Sequence, residues 1–302
     1  MMAIMTDERW PEAAEVARLA QDTVPGATAA DVRPVGEGGD HASWWVGTDH
    51  VARCALDRGG SERLRREVAL RELIGDRIGV PVPVSVASGE WARGRAFTLD
   101  TRLGGVSAEL RAVTAAGEAE LARLLVLLAE VPVASAEALG VPPEAPRNMP
   151  GLLRRATAAA ESVAARGEFA SGLLPRLHVP GAESATAPGT LVHNDLKGEH
   201  LLVAEDGRIS GVLDWTDAVA GDPAEDVAGL AISVGAVAAV RIAEAAGFDR
   251  GGCARALQLA RCDTLTLLSD RLRGIDDSPL PLLRAQLRRA WEPTPLDGPA
   301  EA

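Results

Sequence analysis

The feature that most constrains the fold is a short loop, rich in ionisable side chains, between two apolar strand segments. The stretch Leu191-Val-His-Asn-Asp-Leu-Lys-Gly-Glu-His-Leu-Leu-Val203 contains five of them, at His193, Asp195, Lys197, Glu199 and His200. The apolar strand 209–213 then leads into Asp214, and the turn Glu205-Asp-Gly207 joins the two strand segments as a hairpin. A charged surface turn would explain the loop alone. The hairpin and the second carboxylate instead predict that Asp214 faces back toward the loop.

Such a group of side chains suits phosphoryl transfer. That reaction needs a divalent cation on the phosphate oxygens, a carboxylate that orients the attacking hydroxyl and a cation on the transferred group. Asp195 is the candidate base, and Lys197 is the candidate contact to the γ-phosphate. Asp214 and His200 are the candidate metal ligands. Lys197 is the only lysine in the chain, which favours a need for a compact ammonium there. A zinc site at His193, Asp195 and His200 is the alternative, but no further soft ligand follows at the usual spacing.

The composition narrows the class of partner. The chain has 302 residues and a net charge of −12 at pH 7, which opposes binding to nucleic acid, because that affinity depends on cationic side chains. Its apolar runs end well short of the roughly 20 residues that span a bilayer, so no membrane partner is expected. Charged residues follow Met1–Met5 at once, without the apolar core of a secretory signal, and the protein is expected in the cytoplasm. Three cysteines without C-x-x-C spacing predict buried thiols.

The order of strand and helix signals divides the chain in two. A leading helix at residues 6–21 and strand patterns at 32–35, 43–46 and 51–54 come first. An amphipathic helix over Ser61–Gly75, with Ser61 as its N-cap, and two strands at 84–87 and 95–101 follow. From Leu103 onward most segments are helical, apart from the short strands around the charged loop. We therefore expect an antiparallel-sheet lobe at residues 1–102 and a mostly helical lobe at residues 103–302.

Three motifs in chain order resemble the signature of a known family: His193-x-Asp195-Leu-Lys197-x-x-His200, Leu213-Asp214-Trp215 and Gly221-Asp222-Pro223-x-x-Asp226. They are similar to those of the aminoglycoside phosphotransferase family, small-molecule kinases with a two-lobed, protein-kinase-like α+β fold. Most members have Asn at the position of His200. A His at this position is typical of the branch that includes aminoglycoside 2″- and macrolide 2′-phosphotransferases. The resemblance implies Mg²⁺ as cofactor and ATP or GTP as phosphate donor. It also implies that His193 and Asp226 orient the loop through hydrogen bonds.

The same resemblance assigns nucleotide binding to the first 102 residues. It implies a turn that covers the phosphates, a strand cation with a helix partner, and a hinge whose backbone contacts the base. The residues are Gly36, Gly38 and Gly39 for the turn, Arg53 and Glu67 for the pair, and Asp100, Thr101 and Arg102 for the hinge. An Arg at position 53 keeps a permanent charge and a fork of donors for both Glu67 and phosphate.

The implied reaction moves the γ-phosphate of ATP or GTP to a hydroxyl of an antibiotic and inactivates it, the acceptor being an aminoglycoside, a macrolide or a related small molecule. Acidic side chains are expected in the acceptor site, at Asp217, Glu199 and Asp263. Two alternatives stay open: a sugar or amino alcohol kinase of the same fold, and a pseudokinase-like module that binds nucleotide without turnover. The sequence leaves the oligomeric state open.

Overall fold

Two compact units make up the chain in the computed structural model, which describes residues 9–36, 41–182 and 189–297. The first unit comprises residues up to 75, residues 81–104 and the short segment 214–216. The second unit comprises residues 76–80, 105–213 and 217 onward. An antiparallel sheet dominates the first unit and helices dominate the second, which confirms the predicted α+β class.

The first unit is built on a five-stranded antiparallel sheet in the order β1-β2-β3-β5-β4. Its strands are β1 (Val32–Pro34), β2 (His41–Val46), β3 (His50–Ala55), β4 (Ser85–Ala92) and β5 (Arg95–Thr101), and its described helices are α1 (Ala13–Ala20) and α2 (Arg58–Ile74). Val16 and Ala17 of α1 are buried in one apolar cluster with Val46, Cys54 and Leu99 of the sheet. This packing fixes β3 and β5, the strands that hold the predicted nucleotide residues.

The predicted N-cap of α2, Ser61, is wrong. Asp57 is the N-cap, and its carboxylate accepts the backbone N–H of Gly60 at 2.6 Å. Asp accepts such a bond as well as Ser does. Ser61 lies inside the helix, where its hydroxyl donates to the carbonyl oxygen of Asp57 at 2.7 Å. Further along the helix, the side chains of Glu67 and Arg71 are buried within the unit.

The second unit combines a bundle of helices with short strands. The described helices are α3 (Ala115–Glu130), α4 (Val133–Ala138), α5 (Met149–Ala164), α6 (Ala224–Ser233), α7 (Ala236–Ala245), α8 (Arg250–Leu272) and α9 (Leu280–Ala290). The strands are β6 (Val106–Ser107), β7 (Thr190–Val192), β8 (Leu201–Val203), β9 (Ile209–Val212) and β10 (Val219–Gly221). They form a sheet in the order β6-β8-β9 and a β10-β7 pair. Helix α8 is the buried centre of the bundle, packed against α5, α6 and α9.

The predicted hairpin is present as β8 and β9. The two strands pair antiparallel, with Leu201 opposite Val212. Gly207 in the connecting turn has φ +79°, in the left-handed region that glycine adopts without strain. Beyond the paired strands, the backbone N–H of Leu213 donates to the carbonyl oxygen of His200 at 2.8 Å. The hairpin therefore ties the end of the charged loop to the residue that precedes Asp214.

The predicted buried thiols are confirmed. Cys54 lies on β3, and Cys253 and Cys262 lie on α8; all three are buried and free. Burial raises the pKa of the Cys54 and Cys262 thiols to about 12, so these side chains act as small apolar groups. No helix in the described part of the chain is long and apolar enough to cross a bilayer.

Candidate active site

The charged loop between β7 and β8 is held by a buried carboxylate. Asp226, in the first turn of α6, accepts the backbone N–H of His193 at 3.0 Å and that of Asn194 at 2.8 Å. Asn194 has φ +68°, a left-handed conformation uncommon for a residue with a side chain. Burial raises the pKa of Asp226 to about 7, although the two N–H donors lower it. These two bonds fix the strained backbone directly before Asp195.

His193 orients the loop through both ring nitrogens. Its side chain is fully buried. Nε2 donates to the carbonyl oxygen of Leu213 at 2.9 Å, and Nδ1 accepts the backbone N–H of Asp195 at 3.3 Å. Because a carbonyl oxygen only accepts, the ring is the neutral Nε2–H tautomer. The ring thus links the backbone of Asp195 to the end of the β8–β9 hairpin, as expected for a structural histidine.

Asp195, Lys197 and His200 lie together. The ammonium of Lys197 is 2.5 Å from one carboxylate oxygen of Asp195, and Nδ1 of His200 is 3.4 Å from the other. Nδ1 of His200 also donates to the carbonyl oxygen of Asp195 at 2.9 Å. Burial works to raise the pKa of Asp195, but the charge and hydrogen bond of Lys197 outweigh it and lower that pKa. Burial works to lower the pKa of Lys197, but Asp195 outweighs it, and the Lys197 pKa is raised. Both groups are therefore charged at neutral pH.

Two glycines let the loop pack closely. A Cβ on Gly229 of α6 would lie 2.7 Å from the carbonyl oxygen of Leu196, and a Cβ on Gly198 would lie 2.6 Å from a carboxylate oxygen of Glu109. The hydroxyl of Ser107 donates to the carbonyl oxygen of Gly198 at 2.8 Å. The loop is therefore packed between α6 and the segment that follows β6.

A cavity of about 230 Å³ opens beside Asp195 within the second unit; we call it the Asp195 cavity. Its charged lining residues are Glu144, Arg147, Asp195, Lys197, Glu225 and Asp263. Arg147 is bound between Glu225 and Asp263, each within hydrogen-bond distance of the guanidinium. Of the three predicted acceptor residues, Asp263 lies in this lining, whereas Glu199 and Asp217 are exposed.

Within the first unit, Arg53 and Glu67 form the predicted ion pair. Nη1 of Arg53 is 2.7 Å from both carboxylate oxygens of Glu67, and the hydroxyl of Thr216 donates to Glu67 at 2.9 Å. Nη2 of Arg53 lies 3.8 Å from the carboxylate of Asp214, which has φ +57°. Burial works to raise the pKa of Glu67, but Arg53 and Arg71 outweigh it, so that pKa is lowered. The structure thus brings Arg53, Glu67 and Asp214 together.

The predicted hinge residues differ in their surroundings. Asp100 is buried, with both carboxylate oxygens 3.2 Å from Nη2 of Arg71. The hydroxyl of Thr101 accepts the backbone N–H of Val84 at 2.9 Å. Arg102 is exposed, with its guanidinium 4.4 Å from the ring centre of Trp45. The side chain of Asp100 is thus bound in the interior of the unit, and the backbone N–H groups of Thr101 and Arg102 donate to the carbonyl oxygens of Val84 and Asp49, each at 2.8 Å.

The glycine turn is only partly described. Gly36 is exposed, and a Cβ placed on it would meet no atom within 4 Å. Gly38 and Gly39 lie outside the described residues.

The expected Mg²⁺ ligands belong to different units, Asp214 to the first and His200 to the second. The Asp214 carboxylate is 46% exposed. Nδ1 of His200 donates to a carbonyl oxygen, so Nε2 is the ring nitrogen that could serve as a metal ligand. Over the described ranges, no cluster of three or more His, Cys, Asp or Glu side chains is arranged to hold a metal. Mg²⁺ is usually held by one or two carboxylates together with phosphate oxygens and water, and the exposed carboxylate of Asp214 supplies an oxygen ligand of that kind.

Sequence reasoning missed four residues that shape these sites: Asn194, Thr216, Arg71 and Arg147. Thr216 lies two positions after Asp214, and its hydroxyl could have indicated a hydrogen-bond partner for the charged residues of this site. Arg71 is four residues after Glu67 on α2, a spacing that brings side chains onto one helix face. Nothing in the sequence around Arg147 indicates its partners, which lie 78 and 116 residues away.

The chain combines a sheet-based unit that contains a buried Arg–Glu pair with a helical unit that contains an Asp–Lys loop. This combination is typical of a kinase-like phosphotransferase. The profile of the phosphotransferase enzyme family matches residues 31–261, and the chain belongs to that family. This membership confirms the predicted resemblance and the predicted enzyme class, a phosphotransferase with an alcohol group as acceptor.

Relatives of known sequence include two proteins. The viomycin phosphotransferase of Streptomyces vinaceus is 28% identical over 241 residues, which cover 72% of this chain and 78% of that protein. An uncharacterized protein of Bacillus subtilis strain 168, YcbJ, is 46% identical over 46 residues; this match spans only 15% of each chain.

Solved structures show the same fold. The GDP complex of aminoglycoside 2′-phosphotransferase-IIIa superposes with a TM-score of 0.67 at 19% identity, covering 91% of this chain and 97% of that one. The macrolide 2′-phosphotransferase of Brachybacterium faecium, as apoenzyme, superposes with a TM-score of 0.59 at 21% identity, covering 92% and 98%. The predicted kinase-like fold is confirmed by these similarities.

Proposed function

We propose that the protein transfers the γ-phosphate of ATP or GTP to a hydroxyl group of an antibiotic and thereby inactivates it. The observation that carries this proposal is the ionised carboxylate of Asp195, paired with Lys197 in the wall of a cavity large enough for part of a small molecule. The similarity to a viomycin phosphotransferase and to a macrolide 2′-phosphotransferase supports an antibiotic acceptor. The likeness to a GDP complex supports a nucleotide donor.

Asp195 is the base in this proposal. The acceptor hydroxyl gives its proton to the Asp195 carboxylate while its oxygen forms a bond to the γ-phosphorus. The bond between that phosphorus and the bridging β–γ oxygen breaks, and the nucleoside diphosphate leaves. A carboxylate that is already ionised at neutral pH is in the correct state to accept the proton. Lys197 moves from Asp195 to the transferred phosphoryl group.

The donor is bound by residues of the first unit. Arg53, oriented by Glu67 and Thr216, contacts the nucleotide phosphates with its permanent charge. The backbone of residues 100–102 contacts the base, and Gly36, Gly38 and Gly39 cover the phosphates. When bound, Mg²⁺ neutralises phosphate oxygens; Asp214 and His200 would hold it. Glu199 and Asp217 belong to the approach of the acceptor, and Asp263 belongs to its cavity.

Inactivation follows from the charge of the product. A phosphate monoester adds about −1.5 to −2 of charge at pH 7. An antibiotic that uses this hydroxyl to hydrogen-bond to its target then has a bulky, charged phosphate at that position, which opposes binding to the target.

The test is phosphate transfer from γ-labelled ATP and GTP, with Mg²⁺, to a panel of peptide, macrolide and aminoglycoside antibiotics, sugars and amino alcohols. Asp195→Asn is expected to lower kcat by about 10²-fold or more. Glu205→Gln is the matched control, because it removes an exposed carboxylate from the turn of the neighbouring β8–β9 hairpin, where no role in transfer is proposed. Transfer to sugars or amino alcohols alone would indicate a metabolite kinase. Nucleotide binding without transfer would indicate a pseudokinase-like module, and the absence of nucleotide binding would overturn the proposal.

A further inference from the structure

Arg147 is held by two carboxylates from different helices inside the Asp195 cavity. Its Nε and Nη2 donate to the two oxygens of Glu225 on α6, at 2.8 and 2.5 Å. Its Nη1 and Nη2 donate to the two oxygens of Asp263 on α8, at 2.8 and 3.0 Å. We call the pair Glu225 and Asp263 the carboxylate cradle. Four of the five donors of the guanidinium are used in it.

The position of Arg147 is itself built into the fold. Nη2 of Arg255 donates to the backbone carbonyl of Arg147 at 3.3 Å, and Arg255 is buried in an ion pair with Asp222. Arg147 directly precedes Asn148, the N-cap of α5, whose side chain accepts the backbone N–H of Gly151. The backbone is thus held at the carbonyl of Arg147 and at Asn148 directly after it, and the Arg147 side chain reaches the cradle from this fixed segment.

The cradle has the chemistry of a cation site. Two carboxylates that face one planar group bind a guanidinium through paired, charge-assisted hydrogen bonds, and they bind an ammonium less completely. The side chains of Glu225 and Asp263 are only 13% and 29% exposed, so water screens them weakly. A cation of an acceptor that approached this wall would have to displace the four hydrogen bonds of Arg147.

We propose that Arg147 is a specificity-determining residue of the acceptor site, because its guanidinium fills the carboxylate cradle with a cation of the protein itself. This inference rests on the proposed function of the Asp195 cavity. Acceptors of the wild-type enzyme present an uncharged polar face to this wall, such as hydroxyl or amide groups. Removal of Arg147 converts the cradle into a binding site for a guanidinium or ammonium group of the acceptor.

The first test is binding of methylguanidinium to the purified full chain, measured by calorimetric titration and by the shift in Tm. Arg147→Ala is expected to bind the probe saturably and to gain thermal stability from it, with an affinity about tenfold or more above that of the wild type. Arg284→Ala is the matched control, because Arg284 also forks onto a carboxylate, that of Glu168, but outside the cavity. Equal affinity of Arg147→Ala and wild type would overturn the inference.

Two further variants keep the test decisive. Arg147→Gln has a shorter, uncharged side chain that leaves the cradle open to the probe, and it serves if Arg147→Ala does not fold; it is expected to show a gain in affinity as well. Arg147→Ala combined with Glu225→Gln removes half of the cradle and is expected to lose the gain. Retention of full binding by this double variant would show that the probe binds elsewhere, which overturns the inference.

The second test separates this inference from the proposed function. KM and kcat are measured for pairs of acceptors that differ by one amine in place of one hydroxyl. Arg147→Ala is expected to lower KM for the amine relative to the hydroxyl by about tenfold, with kcat changed little. No change in that ratio, in a variant that binds methylguanidinium, would overturn the role in specificity. No transfer to any acceptor by the wild type would instead overturn the proposed function.

Discussion

The ammonium of Lys197 lies 2.5 Å from the carboxylate of Asp195. This pair sets the protonation state of the proposed base before any substrate is present. Burial alone would raise the pKa of Asp195, but Lys197 lowers it below the ordinary value of 3.8. The proposed base accepts a proton only when ionised, so activity should fall as pH decreases through that lowered pKa.

Lys197→Met is therefore expected to raise the pKa of Asp195, because it removes the positive charge that lowers that pKa. The acid limb of the kcat/KM profile should move to higher pH, and kcat should fall because the transferred group loses a cation. The measurement is the pH dependence of phosphate transfer by wild type and variant. An acid limb at the same pH in both would show that Lys197 does not control the base.

Asp226 makes stability depend on pH in the opposite sense to an ordinary paired carboxylate. Its pKa in the folded protein is about 7, above the ordinary 3.8, because of burial. The folded state then binds this proton more tightly than the unfolded state, and the stability from Asp226 decreases as pH rises from about 4 to about 7. Urea titrations at several pH values give the free energy of unfolding of the wild type and of Asp226→Asn. The wild-type value minus the variant value should fall as the pH rises over this range.

Gly229 is required by the approach of Leu196 to α6. A Cβ at Gly229 would lie 2.7 Å from the carbonyl oxygen of Leu196, so Gly229→Ala should lower the free energy of unfolding by about 1–3 kcal/mol. Gly151→Ala on α5 is the control, since its added Cβ meets no atom closer than 3.7 Å. That variant should be neutral or more stable by up to about 1 kcal/mol. The free energies of unfolding are measured by denaturant titration. Equal losses of stability in Gly229→Ala and Gly151→Ala would contradict the steric argument.

The Arg53–Glu67 pair should contribute to stability as well as to nucleotide binding. Glu67→Ala leaves the guanidinium of Arg53, 15% exposed, without its main partner. The expected loss is about 3–5 kcal/mol in the free energy of unfolding, together with weaker binding of ATP and GTP. Arg65 lies on the same helix as Glu67 and forms an exposed pair with Glu90 of β4, so Arg65→Ala should change stability by about 1 kcal/mol or less. If a folded Glu67→Ala protein bound ATP and GTP with unchanged affinity, the proposed role of Arg53 in binding the donor would be contradicted.

The parts of the molecule that could be predicted from the sequence depend on local patterns. The β8–β9 hairpin follows from two apolar runs and a turn with Gly207, all within a few residues. Asp57 and Ser61 are both good N-cap residues by type, so the residue pattern alone does not fix where α2 begins. The carboxylate cradle of Arg147 could not be predicted, because its three members come from distant segments and meet only once α6 and α8 are packed.

The hydroxyl that completes the Arg53–Glu67 pair belongs to Thr216, 149 positions after Glu67. During synthesis the sheet of the first unit can form long before this residue has been made. The ion pair is then finished by a segment that leaves the ribosome more than a hundred residues later. A fragment that ends at residue 104 would lack Thr216 and the Asp214 carboxylate. The first unit is therefore contiguous in space but not along the chain, and the Arg53–Glu67 pair reaches its final setting only late in translation.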